Sequence, residues 1–134
     1  MAGIVILDAS ALIALYKQGD VHHEWAREIF FQTAEDKFVM STLSFTEALV
    51  HPQSTGTTEQ FLANTRGLDV RFVPISEADC VPLASMRAET RLKMPDAVVL
   101  YTAIKESAII ATTDSGLAKT AAKFGVEVLS PLAD

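Results

Sequence analysis

Short apolar runs alternate with longer amphipathic segments along the whole chain. The short runs are rich in β-branched residues, which is typical of strands buried in a sheet. The predicted strands are Gly3–Leu7, Lys37–Ser41, Asp69–Val73, Ala108–Thr112 and Val126–Leu129. The longer segments carry apolar residues at helical spacing. The predicted helices are Ala9–Gln18, Val21–Ala34, Leu43–Val50, Thr58–Arg66, Ser76–Leu92, Pro95–Glu106 and Ser115–Phe124. The segment His51–Thr58 is rich in Pro, Gly, Ser and Thr and is predicted to be a loop.

The order of these elements predicts an α/β fold. Strands that are separated by one or two helices need crossover connections, and crossovers make neighbouring strands parallel. We therefore expect residues 1–134 to form a single domain with three layers, α/β/α, around a mainly parallel sheet. In such a sheet ligands bind beyond the carboxyl ends of the strands, so functional side chains are expected at that edge.

Composition narrows the class of protein. The 134 residues include 17 acidic and 11 basic residues, which gives a formal net charge of −6. The single cysteine, Cys80, excludes an internal disulfide framework and a zinc site built from cysteines. No apolar run is long enough to cross a bilayer, and no secretory signal precedes the first strand. We expect a cytoplasmic protein with no membrane partner. The net charge would repel a polyanion, but it does not say where individual charges lie.

Four acidic residues are placed where strands end or where the next helices begin. Asp8 directly follows the first predicted strand, and Asp114 follows the fourth. Glu47 lies one turn into the helix after the second strand, and Asp96 starts the helix before the fourth. Because like charges oppose each other's ionisation, four carboxylates in one pocket call for bound cations. An all-oxygen site suits Mg²⁺ or Mn²⁺ better than Zn²⁺, and two such ions about 4 Å apart can promote attack on a phosphodiester.

Helix capping offers a structural explanation for each acid taken alone. Asp8 and Asp114 each precede a helix, where Asp is a favoured N-cap. The sequence SFTE at positions 44–47 has the pattern of a capping box, and Asp96 lies in a first helical turn, where the helix dipole favours a negative charge. Capping does not explain why apolar strands end in acids at one shared edge, so the set favours a metal site. An N-cap can also use one carboxylate oxygen and leave the other for a metal.

Four motifs in this order and spacing, LDASALIAL, SFTEAL, KMPDAVVLYTA and TTDSGL, resemble the PIN-domain ribonuclease family. Within that family the length resembles a VapC-type toxin of a bacterial type II toxin–antitoxin pair. The resemblance covers essentially the whole chain. It implies a parallel sheet wrapped by helices and an Mg²⁺- or Mn²⁺-dependent endoribonuclease that cleaves RNA with a metal-activated water. It also implies inhibition by an antitoxin protein, and by analogy with the family we expect a homodimer.

The resemblance also assigns site residues. The implied catalytic acids are Asp8, Glu47, Asp96 and Asp114, and the implied metal ligands among them are Asp8, Asp96 and Asp114. The hydroxyl groups of Ser10 and of Thr112 or Thr113 are implied to orient these carboxylates by hydrogen bonds. Many relatives carry a further acid or an aromatic residue shortly after the last aspartate. This chain has SGL at positions 115–117, so Asp114 is the only acid there.

Three basic residues, Arg87, Arg91 and Lys93, precede the turn at Pro95 and Asp96. Arg87 and Arg91 share one face of the predicted helix, because residues four apart are neighbours on a helix surface. They form either an ordinary solvated face or a rim that contacts RNA phosphates beside the acidic pocket. Such a rim would offset the unfavourable net charge.

Aromatic residues are frequent in the first two predicted helices. By default they belong to the core, but some could instead form a dimer face or an antitoxin groove. The residues in question are Tyr16, Trp25, Phe30 and Phe31.

Other functions with acids at strand ends fit less well. A receiver domain expects adjacent acids after the first strand, and this chain has Asp8 followed by Ala9. A haloacid-dehalogenase-like phosphatase expects a second aspartate two residues after the first, and this chain has Ser10. The remaining alternative is a non-catalytic module that binds RNA or protein on the same fold, which need not keep four acids. Metal-dependent cleavage separates that alternative from the nuclease.

Overall fold

The computed structural model describes residues 3–131, and a five-stranded sheet lies at its centre. In chain order the strands are β1 (Ile4–Leu7), β2 (Lys37–Ser41), β3 (Arg71–Val73), β4 (Ile109–Ala111) and β5 (Val128–Leu129). They lie side by side in the order β3-β2-β1-β4-β5, and each neighbouring pair is parallel. The prediction of a parallel α/β sheet is confirmed.

Seven helices within the described residues connect the strands. They are α1 (Ala9–Tyr16), α2 (His23–Gln32), α3 (Thr42–Thr55), α4 (Thr58–Arg66), α5 (Glu77–Thr90), α6 (Met94–Glu106) and α7 (Ser115–Lys123). None of the helices in this part of the chain has both the length and the apolar character needed to span a membrane.

The alternation of side chains along β1 divides the core into two layers. Val5 and Leu7 belong to a cluster that also includes buried residues of α1 to α4, whereas Ile6 belongs to a cluster with α6 and α7. Successive residues of a strand point to opposite faces of the sheet, so each cluster fills one face. This arrangement is the predicted three-layer α/β/α architecture.

The order of the strands reverses direction next to β1. The chain moves outward from β1 through β2 to β3, then returns and places β4 on the other side of β1. The carboxyl ends of β1 and β4 are therefore neighbours, with Leu7 in register with Ala111. A crevice forms at such a switch point in open parallel sheets, and ligands bind there. Asp8 and Asp114 follow these two strands.

The predicted loop 51–58 is wrong, because α3 continues through Pro52 to Thr55. A proline inside a helix loses the hydrogen bond to the carbonyl four residues earlier. In this helix the proline ring is buried, and the Thr55 hydroxyl donates to the carbonyl oxygen of His51 at 3.0 Å. Burial of the ring offsets the lost hydrogen bond, so the helix ends only at Gly56, which has a φ of 76°.

Two helix boundaries also differ from the prediction, the start of α3 and the end of α5. The capping box expected at positions 44–47 is absent, since the N-cap of α3 is Ser41, whose Oγ accepts a hydrogen bond from the Ser44 N–H at 3.0 Å. At the end of α5, Arg91 adopts a left-handed conformation with a φ of 61°. Arg91 therefore lies beyond the helix, and the prediction that it shares a helix face with Arg87 is wrong.

A buried carboxylate joins α5 to α6. Asp79 accepts hydrogen bonds from the Tyr101 hydroxyl at 2.6 Å and from Lys105 Nζ at 2.9 Å, both on α6. Its other oxygen accepts the Ser76 N–H at 2.8 Å, which closes the start of α5. The hydrogen bond from Tyr101 is the main reason why the pKa of Asp79 lies well below its usual value. The pairing fixes how α5 lies against the helix that carries Asp96.

Candidate functional site

Asp8 is buried at the carboxyl end of β1. It occupies the N-cap position of α1, yet its side chain makes no capping hydrogen bond. Its Oδ2 accepts hydrogen bonds from Ser10 Oγ at 2.6 Å and from Thr112 Oγ1 at 2.7 Å. Burial raises the pKa of Asp8, the two hydroxyl groups lower it, and the charge of Asp114 raises it. The carboxylate is thus oriented by two hydroxyls, and capping does not account for it.

The same hydroxyl groups connect the ends of β1 and β4. The Thr113 N–H donates to Ser10 Oγ at 3.0 Å, and the Asp114 N–H donates to Thr112 Oγ1 at 3.0 Å. Of the two threonines considered from the sequence, Thr112 gives its hydroxyl to Asp8, whereas Thr113 contributes its backbone N–H. A short network therefore fixes Asp8 relative to the backbone of Asp114.

Asp114 does cap a helix. Its Oδ1 accepts the Leu117 N–H at 2.9 Å at the start of α7, and the residue is exposed. This hydrogen bond uses one carboxylate oxygen. The cap holds the side chain at the edge of the sheet, next to the end of β4.

Glu47 lies in the second turn of α3 and is half-buried. With the N-cap at Ser41, Glu47 is too far along the helix to reach the free N–H groups of the first turn. Burial raises the pKa of Glu47, and the charge of Asp8 raises it further. The acid therefore faces the end of β1, and capping does not explain its presence.

The pKa of Asp96 is affected by each of the other three acids. It is half-buried in the first turn of α6. Burial and then the charges of Asp114, Asp8 and Glu47 raise the pKa of Asp96 to about 6, while Lys93 opposes this. Four acids from four segments of the chain thus act on one another at the carboxyl edge of the sheet. Their mutual repulsion is a cost that capping alone would not require.

The donor atoms at this edge suit a hard cation. Carboxylate oxygens from Asp8, Asp96 and Asp114 are the ligand type that Mg²⁺ and Mn²⁺ prefer, and nitrogen or sulfur ligands for Zn²⁺ are missing from these three. Among residues 3–131 no three His, Cys, Asp or Glu side chains are close enough to form a finished metal shell. Asp8, Asp96 and Asp114 fit such an ion because their oxygen atoms are suitable ligands and because a cation would offset the repulsion between their negative charges.

The basic residues considered from the sequence lie around the junction between α5 and α6. Arg87 is in the last turn of α5, Arg91 follows that helix, and Lys93 is the N-cap of α6. All three side chains are exposed. Lys93 is the one close enough to Asp96 for its charge to lower the pKa of that carboxyl.

The sequence indicated Tyr16 as a candidate for an antitoxin groove, but it did not indicate a groove between α1, α3 and α4. Its volume is about 520 Å³, and Tyr16, Pro52 and Phe61 line it. The hydroxyl of Tyr16 is buried and has no hydrogen-bond partner among the described residues. The groove was missed because Pro52 was assigned to a loop, and a loop cannot supply the wall that α3 provides.

The aromatic residues of the first two helices mostly belong to the core. Phe30 is buried, and Tyr16 and Trp25 pack against the same cluster as partly buried residues. Phe31 differs from them, since 82% of it is exposed.

The chain is similar to known proteins in family and in fold. The chain matches the PIN domain family over residues 5–123. No curated protein sequence matches it. A toxin–antitoxin complex from Klebsiella pneumoniae superposes with a TM-score of 0.68 at 20% identity, covering 83% of this chain and 87% of that one.

Two further solved structures have the same fold. VapBC2 from Rickettsia felis, bound to a DNA fragment from its promoter, gives a TM-score of 0.73 at 12% identity, covering 95% of this chain and 98% of that one. The Mycobacterium tuberculosis toxin VapC20, described as cleaving the sarcin–ricin loop, gives a TM-score of 0.67 at 14% identity. The match covers 87% of this chain and 94% of that one.

Proposed function

The chain belongs to the PIN domain family, and from this premise we propose that it is a metal-dependent endoribonuclease, the VapC-type toxin of a type II toxin–antitoxin pair. The proposal extends to the site residues. Asp8, Asp96 and Asp114 hold Mg²⁺ or Mn²⁺, and Glu47 completes the catalytic acids. The neighbouring structures described as a toxin or a toxin–antitoxin complex support the proposal that the chain is a toxin.

One observation carries the proposal. Burial is the largest cause that raises the pKa of Asp96, and the charges of Asp114, Asp8 and Glu47 raise it further. Two of the four acids, Asp8 and Glu47, have no capping role that would justify the repulsion. A group of unexplained, mutually repelling carboxylates at a switch point is the expected design of a site that binds divalent cations.

A divalent cation held by Asp8, Asp96 and Asp114 would supply Lewis-acid activation of water and of the phosphodiester. The surrounding protein groups position the carboxylates. Ser10 and Thr112 hold the Asp8 carboxylate through its Oδ2, and the α7 cap holds Asp114 through its Oδ1. Glu47 and Asp96 come from two different helices, and their charges interact with those of the aspartates at this edge. No side-chain nucleophile is needed.

We expect RNA cleavage to depend on added divalent metal. The purified chain, incubated with end-labelled single-stranded and hairpin RNAs, should cleave in about 5 mM MgCl₂ or MnCl₂ and stop when excess chelator is added. Renewed addition of either metal should restore cleavage. Gel electrophoresis of the labelled RNA measures the outcome.

Cleavage that persists in chelator after dialysis would contradict the metal role. Binding of the RNAs without cleavage in either metal would instead favour the non-catalytic RNA-binding module. A matched incubation with CaCl₂ controls for ionic strength and for general effects of a divalent ion.

The proposed protein partner is the antitoxin, and the groove between α1, α3 and α4 fits a partner's apolar segment. Tyr16, Pro52 and Phe61 line this groove. A bound segment with apolar side chains would remove their apolar surface from water, which stabilises the complex.

We also propose a homodimer. Exposed large apolar residues on one molecule are candidates for burial between two copies, and Val21 and Phe31 are 88% and 82% exposed. Multi-angle light scattering at tens of micromolar is expected to give twice the mass of one chain. Elution as a monomer throughout that range would contradict the proposal.

A further inference from the structure

Helix α5 is attached to the rest of the protein along one side. Its buried residues are Asp79 and Leu83, and Met86 packs against the core as a partly buried residue. All other residues from 77 to 89 are exposed. The outer face of α5 therefore lies open within the part of the chain that the structure describes.

This open face carries no charge over about two and a half turns. From Ala78 to Met86 the one charged residue in the sequence is Asp79, which is buried and bonded to α6. The exposed residues of the stretch are Ala78, Cys80, Val81, Pro82, Ala84 and Ser85. Val81 is 76% exposed, and Ile75, just before the helix, is 40% exposed. Surface helices usually present charged residues on their outer side, so this face is typical of one that another protein covers.

The exposed charges of α5 lie at its ends. Glu77 is in the first turn and Arg87 is in the last turn. Neither belongs to an ion pair within residues 3–131, where the pairs are Arg27–Glu24, Arg71–Glu106 and Lys105–Asp79. At about 100° per residue, Glu77 and Arg87 lie on the same side of a line drawn along the open face through Val81, about 15 Å apart along the axis.

A second α5, packed antiparallel on the first, complements both charges. With a twofold axis beside Pro82, position 77 of each copy lies opposite position 87 of the other, and the matching sides of the two helices meet. Each Glu77 then reaches an Arg87, while the uncharged faces cover each other between these pairs. The charge pattern of the face is complementary to its own reverse, which indicates a second copy of this chain as the occupant.

The outer face of α2 lacks this property. Phe31 is 82% exposed, but its helix carries Glu24 and Arg27, which pair with each other at 3.5 Å. The charges there are satisfied within one chain and need no copy.

We propose that the open face of α5 is the interface between two copies of this chain, packed antiparallel about Pro82, with each Glu77 paired to Arg87 of the other copy. The inference rests on the homodimer proposed above and gives that dimer a location. It assigns Arg87 to contacts between the copies, so Arg91 and Lys93 are the basic residues left to face RNA.

The first test exchanges the two charges and measures the dimer Kd by sedimentation equilibrium. Glu77→Arg alone or Arg87→Glu alone creates two like-charge contacts per dimer, and the Kd is expected to rise about 10-fold or more. The double variant restores opposite charges, so its Kd should return to within about threefold of the wild type. Both substitutions oppose the helix dipole, so damage to α5 itself would add in the double variant and would not cancel.

A lysine at the centre of the face provides a second test. Val81→Lys should give a folded monomer at tens of micromolar, because the dimer would bury two unpaired charges. Phe31→Lys changes a residue of similar exposure on α2 and should stay dimeric. Light scattering gives the masses, and circular dichroism checks the fold.

The single cysteine, Cys80, lies beside the face and can carry a nitroxide. Around Pro82 the two copies of this residue are offset by about 6 Å along helices whose axes are about 8–10 Å apart. Pulsed electron paramagnetic resonance should therefore give a distance below about 25 Å between the labels.

A dimer that is indifferent to Val81→Lys and to the charge exchange, or whose labels are more than about 35 Å apart, overturns the inference and leaves the homodimer on another face. A wild-type chain that is monomeric at every concentration overturns both and leaves the face to a different protein. Metal-dependent RNA cleavage is measured separately, so its absence would reject the nuclease while the α5 interface stands.

Discussion

Replacing Asp8 with asparagine is expected to abolish RNA cleavage while the protein stays folded. The change removes the buried negative charge at the end of β1, and loss of a metal-ligand charge should reduce the cleavage rate by at least about 100-fold. The fold should survive, because the amide oxygen of asparagine can accept the hydrogen bonds from Ser10 and Thr112. Rates with labelled RNA in MgCl₂ and circular dichroism spectra measure the two effects.

Asp69→Asn is the matched control for this experiment. Asp69 is exposed, lies in the connection that leads into β3, and has a left-handed φ of 56°, which asparagine tolerates well. The control should cleave at the rate of the wild type. Wild-type cleavage by Asp8→Asn would remove Asp8 from the catalytic residues.

Neutralising Asp96 is expected to stabilise the metal-free protein at neutral pH. The pKa of this carboxyl is 3.8 in its ordinary state and about 6 in the folded chain. The folded state therefore binds the proton more tightly, so the contribution of Asp96 to stability is greatest below about pH 4 and is lost as the pH rises through about 6. At pH 7 the ionised group is a net cost to folding.

Solvent screening reduces the size of this effect, since Asp96 is half-buried, and asparagine also loses a favourable interaction with the α6 dipole. The expected net gain for Asp96→Asn at pH 7 is about 1 kcal/mol, or a rise in Tm of about 3 °C. The gain should shrink toward zero near pH 4, where the wild-type carboxyl is protonated. Thermal unfolding of both proteins between pH 4 and 7 in chelator checks this.

Metal should reduce the stability advantage of Asp96→Asn. With a Kd of about 1 mM, MgCl₂ at about 10 mM stabilises the wild type by roughly 1.4 kcal/mol, and the variant should gain less. Glu59→Gln is the control, because Glu59 is an exposed first-turn acid of α4. It should lose a little stability at pH 7 and respond to magnesium like the wild type. If Asp96→Asn melts lower than the wild type at pH 7, repulsion among the acids is not the dominant charge interaction.

The elements that depend on local sequence were predicted closely. β2 and α4 have the predicted bounds, because a short apolar strand and a helix between two breaking residues need little help from the rest of the chain. α3 continues through Pro52, which is buried in the folded chain. That information is tertiary, and the local preference of proline points the other way.

The candidate site also combines features that local sequence predicts with features that depend on tertiary structure. The closeness of Asp8 and Asp114 could be predicted from the sequence because the carboxyl ends of parallel strands meet at one edge. The choice between Thr112 and Thr113 could not be made, since adjacent residues point in opposite directions and the strand register decides between them. The register pairs Leu7 with Ala111, which brings the Thr112 hydroxyl to Asp8. The left-handed Arg91 was also beyond prediction, because nothing in its local sequence requires it.

The adjacency of β1 and β4 also determines when the site can form during synthesis on the ribosome. The hydrogen bond between Asp8 and Thr112 joins residues that are 104 positions apart, and the Asp8 N–H donates to the carbonyl oxygen of Ala111 at 3.1 Å. A nascent chain that ends at Glu106 contains Asp8, Glu47 and Asp96. It lacks Asp114 and β4, the strand whose end makes the hydrogen bonds to Asp8. At roughly 5–20 residues per second, the 104 positions between Asp8 and Thr112 take about 5–20 seconds to synthesise, and the centre of the sheet cannot close before then. The four acids can therefore come together only after β4 has been synthesised and has paired with β1.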